Sequence, residues 1–385
     1  MTAFDLASPT DIRFGAGRVG EVPDALARLG ARQVFVVTGR NPSRAAPVRS
    51  ALAAAGVPTT VFAVEGEPTV ELARNAVSDL TAAGCDAVLG FGGGSALDVA
   101  KAVAVLAPSG ADPLDHLEVV GAGRPIERPG LPYVAVPTTA GTGSEVTRNV
   151  VLAAGEVKAS LRSPLMLAKV AIVDPGLLAG VPPDTIAASG LDALSQLVEP
   201  LLSRRANPFT DALARDGIRR SARSLQRGWA DGMTDPGVRD DLALASLFGG
   251  LCLANSGLGA VHGLAAALGA RIGAPHGAVC AAVLAVTVET NLNALRTRAP
   301  GHPALPRLHE LAVLLTGRAD AVAEDAVGWL VELTATLEVP GLAAYGLDLA
   351  GIPAVVTAAQ QASSMRGNPI ELTAAEISAI LSRSL

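Results

Sequence analysis

The first half of the chain alternates short apolar runs with segments whose apolar positions recur at helical spacing, as in residues 22–29 and 70–83. Strands of a parallel sheet are buried on both faces and are nearly continuous apolar runs, and the helices between them cover those faces. The pattern therefore predicts an α/β domain with a parallel, Rossmann-like sheet. The predicted strands are residues 34–38, 60–63, 87–91, 133–137 and 170–173.

The second half of the chain lacks strand-like runs after residue 173, and long runs rich in Ala and Leu continue to the end. Three prolines interrupt the chain within residues 174–184, and Asp184 is suited to cap a following helix. We therefore predict two domains, an α/β domain over residues 1–180 and an all-helical domain over residues 181–385.

Composition narrows the class of protein. The chain has 385 residues, of which 50% are hydrophobic, so it can bury large cores. The net charge is −6, the chain has no basic block, and aromatic residues are few. It therefore lacks the basic surface and the stacking side chains that are typical of a nucleic-acid binder. The longest apolar run, residues 278–286, is far shorter than the roughly 20 residues that cross a bilayer. The start of the chain shows no export signal. We expect a cytoplasmic protein with a small-molecule partner, no nucleic acid and no membrane.

The cysteines also favour a location in the cytoplasm. Cys85, Cys252 and Cys280 are odd in number and widely spaced along the chain. This arrangement favours reduced, buried thiols over a disulfide framework or a thiolate metal site.

A glycine-rich loop follows the predicted strand 87–91 and opens a helix. Glycines let a phosphate approach the backbone, and a helix start offers unpaired N–H groups, so the loop suits a pyrophosphate. A tight strand-to-helix turn is the structural alternative. Only three of the 30 basic residues are lysines, which favours a specific role for the lysine in this segment. The candidate residues are Gly92, Gly93, Gly94, Ser95, Asp98 and Lys101.

A second polar loop, PTTAGTGSEVT, follows the predicted strand 133–137. Ligands of open α/β sheets bind at the carboxyl ends of strands, so two such loops on one sheet edge indicate a dinucleotide. A Ser/Thr-rich turn that caps the next helix is the structural alternative. The candidate contacts are Thr138, Thr139, Thr142 and Ser144.

The strand 34–38 ends at Gly39, which is followed by Arg40. An enzyme that prefers a free ribose tends to place an acid here, whereas a small residue beside a cation leaves room for a 2′-phosphate. The pair favours NADPH over NADH, although Arg40 is equally explained as a surface arginine.

Four residues in the second half form a candidate metal site. Asp192 and Gln196 lie four apart on a predicted helix and therefore share a face, and His262 and His276 come from two further helical segments. Both histidines stand among apolar residues and precede a glycine. An acid, an amide and two imidazoles would suit Fe2+ or Zn2+ and leave a position for substrate. Buried core histidines are the alternative.

The motifs FGGGSALDVAK, PTTAGTGSEVT, GLDALSQLVE and the VHG and PHG histidines together resemble the iron-containing, or group III, alcohol dehydrogenases. The resemblance runs in matching order along nearly the whole chain. It implies the fold shared with dehydroquinate synthase, with an N-terminal dinucleotide domain and a helical C-terminal domain. It also implies that Asp192, His262 and His276 are metal ligands and that the two polar loops contact the cofactor.

The sequence departs from the family at two positions. Gln196 stands where the family has a metal-binding histidine one turn after Asp192, and Ala266 stands where a further histidine is common. An amide oxygen is a weaker ligand than imidazole, so the occupancy and identity of the metal are open. The change at Ala266 removes a candidate proton relay.

The resemblance implies an NAD(P)-dependent oxidoreductase that interconverts a small aldehyde or ketone with its alcohol, with a divalent metal that polarises the carbonyl oxygen. The candidate catalytic residues around that metal are His262, His276 and Gln196. Without a metal, the Gln196 amide and a protonated histidine would form an oxyanion hole. The alternatives are a maleylacetate reductase, with Arg148, Lys158 and Arg162 as an anion anchor, a cyclising lyase, and a non-catalytic descendant. The family habit also indicates a homo-oligomer.

Overall fold

The computed structural model describes residues 4–9, 11–155, 157–269 and 271–385. It divides into two compact units, Ala7–Ala179 and Gly180–Leu385, the second of which includes the described residues before Ala7. The predicted assignment of the cofactor to residues 1–180 and of the metal to residues 181–385 stays a prediction.

The first unit is built on a six-stranded sheet in which every neighbouring pair is parallel. The strands of this unit are β1 Asp11–Phe14, β2 Val34–Thr38, β3 Thr59–Ala63, β4 Ala87–Gly92, β5 Tyr133–Pro137, β6 Asn149–Ala154, β7 Val157–Arg162 and β8 Val170–Val173. All five predicted strands are present. The strand order in the sheet is β1-β8-β5-β4-β2-β3, so the predicted Rossmann-like sheet is confirmed.

The apolar runs of the central strands supply both faces of the sheet. On β2, Phe35 and Val37 join one core cluster, and Val34 and Val36 join a second cluster on the opposite face. Alternate residues of a strand point to opposite faces, which explains why all five positions of β2 are apolar or buried. The covering helices are α1 Val22–Arg28, α2 Ala46–Ala54, α3 Val70–Ala83, α4 Gly94–Leu106 and the short α5 Pro113–His116.

Three strands, β1, β6 and β7, were not predicted from the sequence. β1 is a four-residue edge strand with two charged residues, and β6 pairs with β7 in a separate antiparallel hairpin. Ala159 and Leu161 are buried on β7 while Val157 and Arg162 are exposed. Such half-buried strands lack the continuous apolar run by which the other strands were identified.

The second unit is helical throughout its described residues, as predicted. The helices are α6 Pro183–Leu202, α7 Pro208–Asp231, α8 Pro236–Ser256, α9 Ala260–Gly269, α10 His276–Arg298, α11 Ala304–Thr316, α12 Ala323–Thr336, α13 Ile352–Gln361 and α14 Ala374–Arg383. Helix α10 is apolar and long enough to span a membrane, and α8 and α9 would also be long and apolar enough if they formed one span, but they are bent by 96°. In α10, 72% of the most apolar window is buried inside the protein, as in a core helix.

Candidate functional site

Three helices of the second unit bring the predicted metal ligands together. Asp192 and Gln196 lie one turn apart on α6, His262 lies on α9, and His276 is the first residue of α10. The His262 Nε2 is 3.2 Å from Asp192 Oδ1, and the His276 Nε2 is 3.9 Å from the same oxygen. The predicted convergence of an acid and two imidazoles is therefore present in the structure.

A glycine allows α10 to approach α6 this closely. A Cβ on Gly277 would lie 2.6 Å from the carbonyl oxygen of Ala188 and 3.5 Å from the Asp192 Cβ. The first of these distances is shorter than a van der Waals contact, so any other residue here would push His276 away from Asp192. The PHG motif thus combines a candidate ligand with the small residue that positions it.

The cluster also contains a thiol. The ligand atoms of Asp192, His262, His276 and Cys280 all lie within 4.8 Å of one another. Cys280 follows His276 by one turn of α10, and its sulfur is 3.7 Å from the His276 Nε2. The expected reduced, buried thiols are present, since all three cysteines are free and buried. The wide spacing of the cysteines along the chain does not reveal that Cys280 lies among metal-ligating side chains.

The ring of His262 is held from its far side by Glu199. The Nδ1 of His262 donates to Glu199 Oε2 at 2.6 Å, and the other carboxylate oxygen accepts from the backbone N–H of Val261 at 2.7 Å. Both carboxyl groups around this imidazole are buried. A neutral ring that donates through Nδ1 would present a lone pair to the Asp192 carboxylate, so the 3.2 Å contact needs a second proton or a cation between the two atoms.

The pKa values agree with this geometry. Burial alone would lower the pKa of His262, but Cys280, Glu199 and Asp192 outweigh it and raise the pKa well above its usual range. For Asp192, burial alone would raise the pKa, but hydrogen bonds from His262 and Gln196 and the nearby imidazoles lower it. A divalent cation bound here would replace the second proton of His262.

This donor set fits a divalent metal ion. Carboxylate oxygen, imidazole nitrogen and thiolate sulfur are all ligands of Zn2+ and related borderline cations. The side chain of Gln196, 2% exposed, hydrogen-bonds to Asp192. Glu199 was not predicted from the sequence. It lies two turns after Asp192 on the same helix face, where an acidic residue can act as the hydrogen-bond partner of a facing histidine.

The predicted cofactor residues occupy one edge of the sheet in the first unit. Gly39 follows β2, Gly93 follows β4 and Thr138 follows β5, and these three strands are adjacent and parallel. The backbone N–H of Thr138 donates to the Gly92 carbonyl at 2.9 Å. The two polar loops thus meet at the carboxyl ends of neighbouring strands, where ligands of such sheets bind.

The glycines bring these loops into contact. A Cβ on Gly94 would lie 2.6 Å from Thr142 Cγ2, and one on Gly93 would lie 3.2 Å from Thr139 Oγ1. The first N–H groups of any helix have no hydrogen-bond partner within that helix. At the start of α4, Gly93 provides no side chain to cap them. An uncapped helix start beside hydroxyl side chains fits a phosphate group.

Lys101 has an internal role. It is 1% exposed, and its ammonium donates to Ser144 Oγ, Thr147 Oγ1 and the Asn149 carbonyl at 2.9–3.0 Å. Ser144 in turn donates to Asp98. These bonds tie α4 to the second polar loop and use all three hydrogens of the ammonium. A direct contact of Lys101 with the cofactor would need this network to rearrange, and it stays a prediction.

The end of β2 offers polar groups that the described part of the protein leaves unused. Thr38 Oγ1 is buried and has no hydrogen-bond partner among the described residues. Arg40 is exposed and forms no hydrogen bond or ion pair within the described ranges. An orphaned hydroxyl, the small Gly39 and a cation at one strand end fit the ribose side of a dinucleotide.

Two of the three residues proposed as an anion anchor are neutralised. Lys158 pairs with Glu67 at 3.0 Å, and Arg162 pairs with Glu118 at 3.1 Å. Arg148 is exposed. The maleylacetate reductase alternative therefore gains no support from these residues.

An α/β unit whose two polar loops suit a dinucleotide, and a helical unit with a buried acid–imidazole cluster, are the features of a nicotinamide-dependent oxidoreductase with a candidate metal site. Comparison with known families agrees. Residues 9–175 match the family described as iron-containing alcohol dehydrogenase, and residues 186–385 match the C-terminal region of the Fe-containing alcohol dehydrogenase family.

Individual proteins give the same result. The long-chain-alcohol dehydrogenase 1 of Geobacillus thermodenitrificans is 39% identical over 70% of this chain and 69% of that protein. The choline dehydrogenase of Bacillus subtilis is 31% identical over 94% of this chain and 90% of its own length. A crystal structure of a 1,3-propanediol oxidoreductase superposes with a TM-score of 0.92, at 30% identity and full coverage of both chains.

The chain belongs to the iron-containing alcohol dehydrogenase family, and it is an oxidoreductase that interconverts alcohols and carbonyl compounds with NAD(P). The lyase and non-catalytic alternatives are therefore not favoured.

Proposed function

We propose that this oxidoreductase reduces small aldehydes or ketones with NADPH in preference to NADH, and that a divalent metal held by Asp192, His262 and His276 activates the carbonyl. The observation that carries the proposal is the convergence of these three side chains on α6, α9 and α10, with Asp192 Oδ1 3.2 and 3.9 Å from the two imidazole nitrogens. The names of related proteins, which include alcohol, choline and propanediol enzymes, support an alcohol or carbonyl substrate.

The metal and the nicotinamide supply the chemistry when they are bound: the ion acts as a Lewis acid toward the substrate oxygen, and the nicotinamide carries the hydride. Asp192 provides negative charge for the ion from a buried position. Glu199 keeps the Nδ1 proton of His262 in place, which leaves Nε2 as the nitrogen that faces the ion.

Gln196 takes a supporting role in this proposal. Its side chain hydrogen-bonds to Asp192, which orients the carboxylate toward the two histidines. Direct ligation by the amide oxygen remains the alternative prediction, as does a metal-free oxyanion hole. Ala266 supplies no proton donor, so we infer that the proton of the alcohol product comes from water.

The cofactor is proposed to bind along the edge formed by β2, β4 and β5. The uncapped start of α4, with Gly92, Gly93, Gly94 and Ser95, would hold the pyrophosphate. Thr138, Thr139 and Thr142 would add hydroxyl groups that hydrogen-bond to the cofactor. The hydrogen bond from Ser144 to Asp98 would hold the second polar loop against α4. Gly39 and Arg40 would accept the 2′-phosphate of NADPH. We further propose a cytoplasmic location, which suits three reduced cysteines, and a homo-oligomer, which the family resemblance suggests.

The variant Asp192→Ala tests the metal assignment. We expect bound metal to fall to background and the carbonyl reductase activity to collapse, with NADPH affinity retained. The matched control is Asp184→Ala, which changes an exposed acid at the start of the same helix and should leave metal content and activity unchanged. Activity largely retained in Asp192→Ala would favour the metal-free alternative.

A further inference from the structure

We propose that the thiolate of Cys280 is a metal ligand in this chain and completes the donor set from which Gln196 has removed a histidine. The inference rests on the proposed metal-dependent function and specifies the ligands of the same site. It concerns a residue that the family resemblance does not assign.

The donor atoms of the four side chains are spaced closely enough to hold one ion, and such an ion can expand from four to five ligands when substrate binds. Zinc bonds of about 2.0–2.3 Å to nitrogen, oxygen and sulfur place neighbouring donors about 3.3–3.7 Å apart in a tetrahedron. The structure gives 3.2 Å from Asp192 Oδ1 to the His262 Nε2, 3.9 Å to the His276 Nε2, and 3.7 Å from that nitrogen to the Cys280 sulfur. All donor atoms lie within 4.8 Å of one another, so small side-chain movements suffice to bind one ion.

Cys280 is placed for this role by its helix. It lies one turn after His276 on α10, and residues with that spacing share a helix face. Its sulfur interacts with both imidazoles and is fully buried. By contrast, the Cys252 thiol is also fully buried but donates to the Thr210 carbonyl at 3.4 Å, which is an ordinary structural contact.

Ligation by sulfur changes the charge and the metal preference of the site. Asp192 and a Cys280 thiolate together offset the two positive charges of the ion, whereas a third imidazole in place of the thiolate would leave one charge uncompensated. Thiolate is a softer ligand than imidazole and favours Zn2+ over Fe2+. The thiol proton is released to solvent when the ion binds. The site is therefore expected to take Zn2+ or Co2+ in preference to Fe2+, despite the name of the family.

Cobalt substitution provides the test. Metal-free full-length protein would be loaded with Co2+ under reducing conditions, and the near-ultraviolet thiolate-to-cobalt charge-transfer band would be recorded. We expect the band in the unmodified protein and in Cys252→Ser, and its loss in Cys280→Ser. Competition with a chelator should show Zn2+ affinity at least tenfold weaker in Cys280→Ser, with a smaller loss for Fe2+.

X-ray absorption of the zinc-loaded, unmodified protein is the second measurement, and it decides the question even if Cys280→Ser does not fold. One sulfur at about 2.3 Å from zinc is expected. Metal bound at one ion per chain without sulfur, or a cobalt band that persists in Cys280→Ser, would overturn the assignment of Cys280 alone and leave the proposed function standing. Failure to bind any divalent ion would overturn both.

Discussion

Glu199 accepts a 2.6 Å hydrogen bond from Nδ1 of His262, and both side chains are buried. This contact fixes the tautomer of the imidazole and directs Nε2 toward Asp192. Partners of this kind tune ligand basicity and hold the ring in the orientation that a metal requires. Glu199 also accepts from the backbone of Val261, so it fixes the start of α9 together with the ring.

The variant Glu199→Gln should weaken metal binding while leaving the proposed ligands themselves unchanged. The neutral amide no longer stabilises the Nδ1 proton as a carboxylate does, and losses of about 10- to 100-fold in metal affinity are typical of such changes. The dissociation constant for Zn2+, measured by competition with a chromogenic chelator, checks this. Glu332→Gln, an exposed change on α12, is the control. Equal affinity in both variants would show that Glu199 does not act on the metal site.

The variant Gly94→Ala should impair cofactor binding. The added Cβ would lie 2.6 Å from Thr142 Cγ2, and the β-branched threonine has little freedom to turn away. The two polar loops must then separate, and we expect NADPH affinity to fall roughly tenfold or more, which corresponds to about 1.4 kcal/mol. Titration of cofactor fluorescence measures it. Gly20→Ala, where a Cβ meets nothing within 4 Å, should bind normally. Normal binding by Gly94→Ala would place the pyrophosphate elsewhere.

The variant Arg40→Ala should change the choice of coenzyme. A hydrogen-bonded guanidinium contributes about 1.5–3 kcal/mol toward a phosphate, so the KM for NADPH should rise roughly 10- to 100-fold. The KM for NADH should stay the same because its ribose carries no 2′-phosphate. Steady-state kinetics with both coenzymes check the ratio, with Arg28→Ala, an exposed change at the end of α1, as the control. An equal change in KM for both coenzymes would show that Arg40 does not bind the 2′-phosphate.

Stability should depend on pH through Glu145, which lies in the second polar loop and is 2% exposed. Burial raises the pKa of Glu145 from 4.5 to about 7, against opposing effects of its own backbone N–H and of Lys101. The folded protein therefore binds this proton more tightly than the unfolded chain. The resulting stabilisation is fully present below pH 4.5 and is lost as the pH rises through about 7.

The loss amounts to about 3 kcal/mol from this group, and the variant Glu145→Gln should lack it. Denaturant unfolding at several pH values from 4.5 to 8 would compare the two proteins. The difference in the free energy of unfolding between variant and unmodified protein should shift in favour of the variant as the pH rises. A constant difference across this range would mean that Glu145 ionises normally in the folded state.

The sequence was sufficient to predict five of the six strands of the sheet, and it missed the charged edge strand β1. The central strands could be predicted because they are continuously apolar. The runs that contain Phe35 and Val136 could be recognised without knowledge of their partners, since both faces of each strand are covered. The hairpin of β6 and β7 could not be recognised in this way. Its burial depends on which face lies against α4, and that is decided by tertiary packing.

The candidate site was predictable only where one residue type suggests a function by itself. Asp192, His262 and His276 stand out by chemistry and spacing, and the structure brings them together. Glu199 and Cys280 looked like ordinary helix residues, because their roles depend on which side chains face them from α6, α9 and α10. Lys101 was proposed as a cofactor contact because lysine is rare in this chain. Its ammonium instead donates three hydrogen bonds to Ser144 and to residues 147 and 149, and no local sequence pattern reveals these contacts.

The transfer of deuterium from the coenzyme to product tests the central claim most directly. NADPH deuterated at the transferring position of nicotinamide C4 would be incubated with a panel of small aldehydes and the metal-loaded protein, and the alcohols would be analysed by mass spectrometry. We predict one deuterium on the carbinol carbon of at least one product, and none when the metal is removed or when Asp192 is replaced by Ala. Absence of deuterium from every product, with metal and NADPH both shown to be bound, would contradict the account.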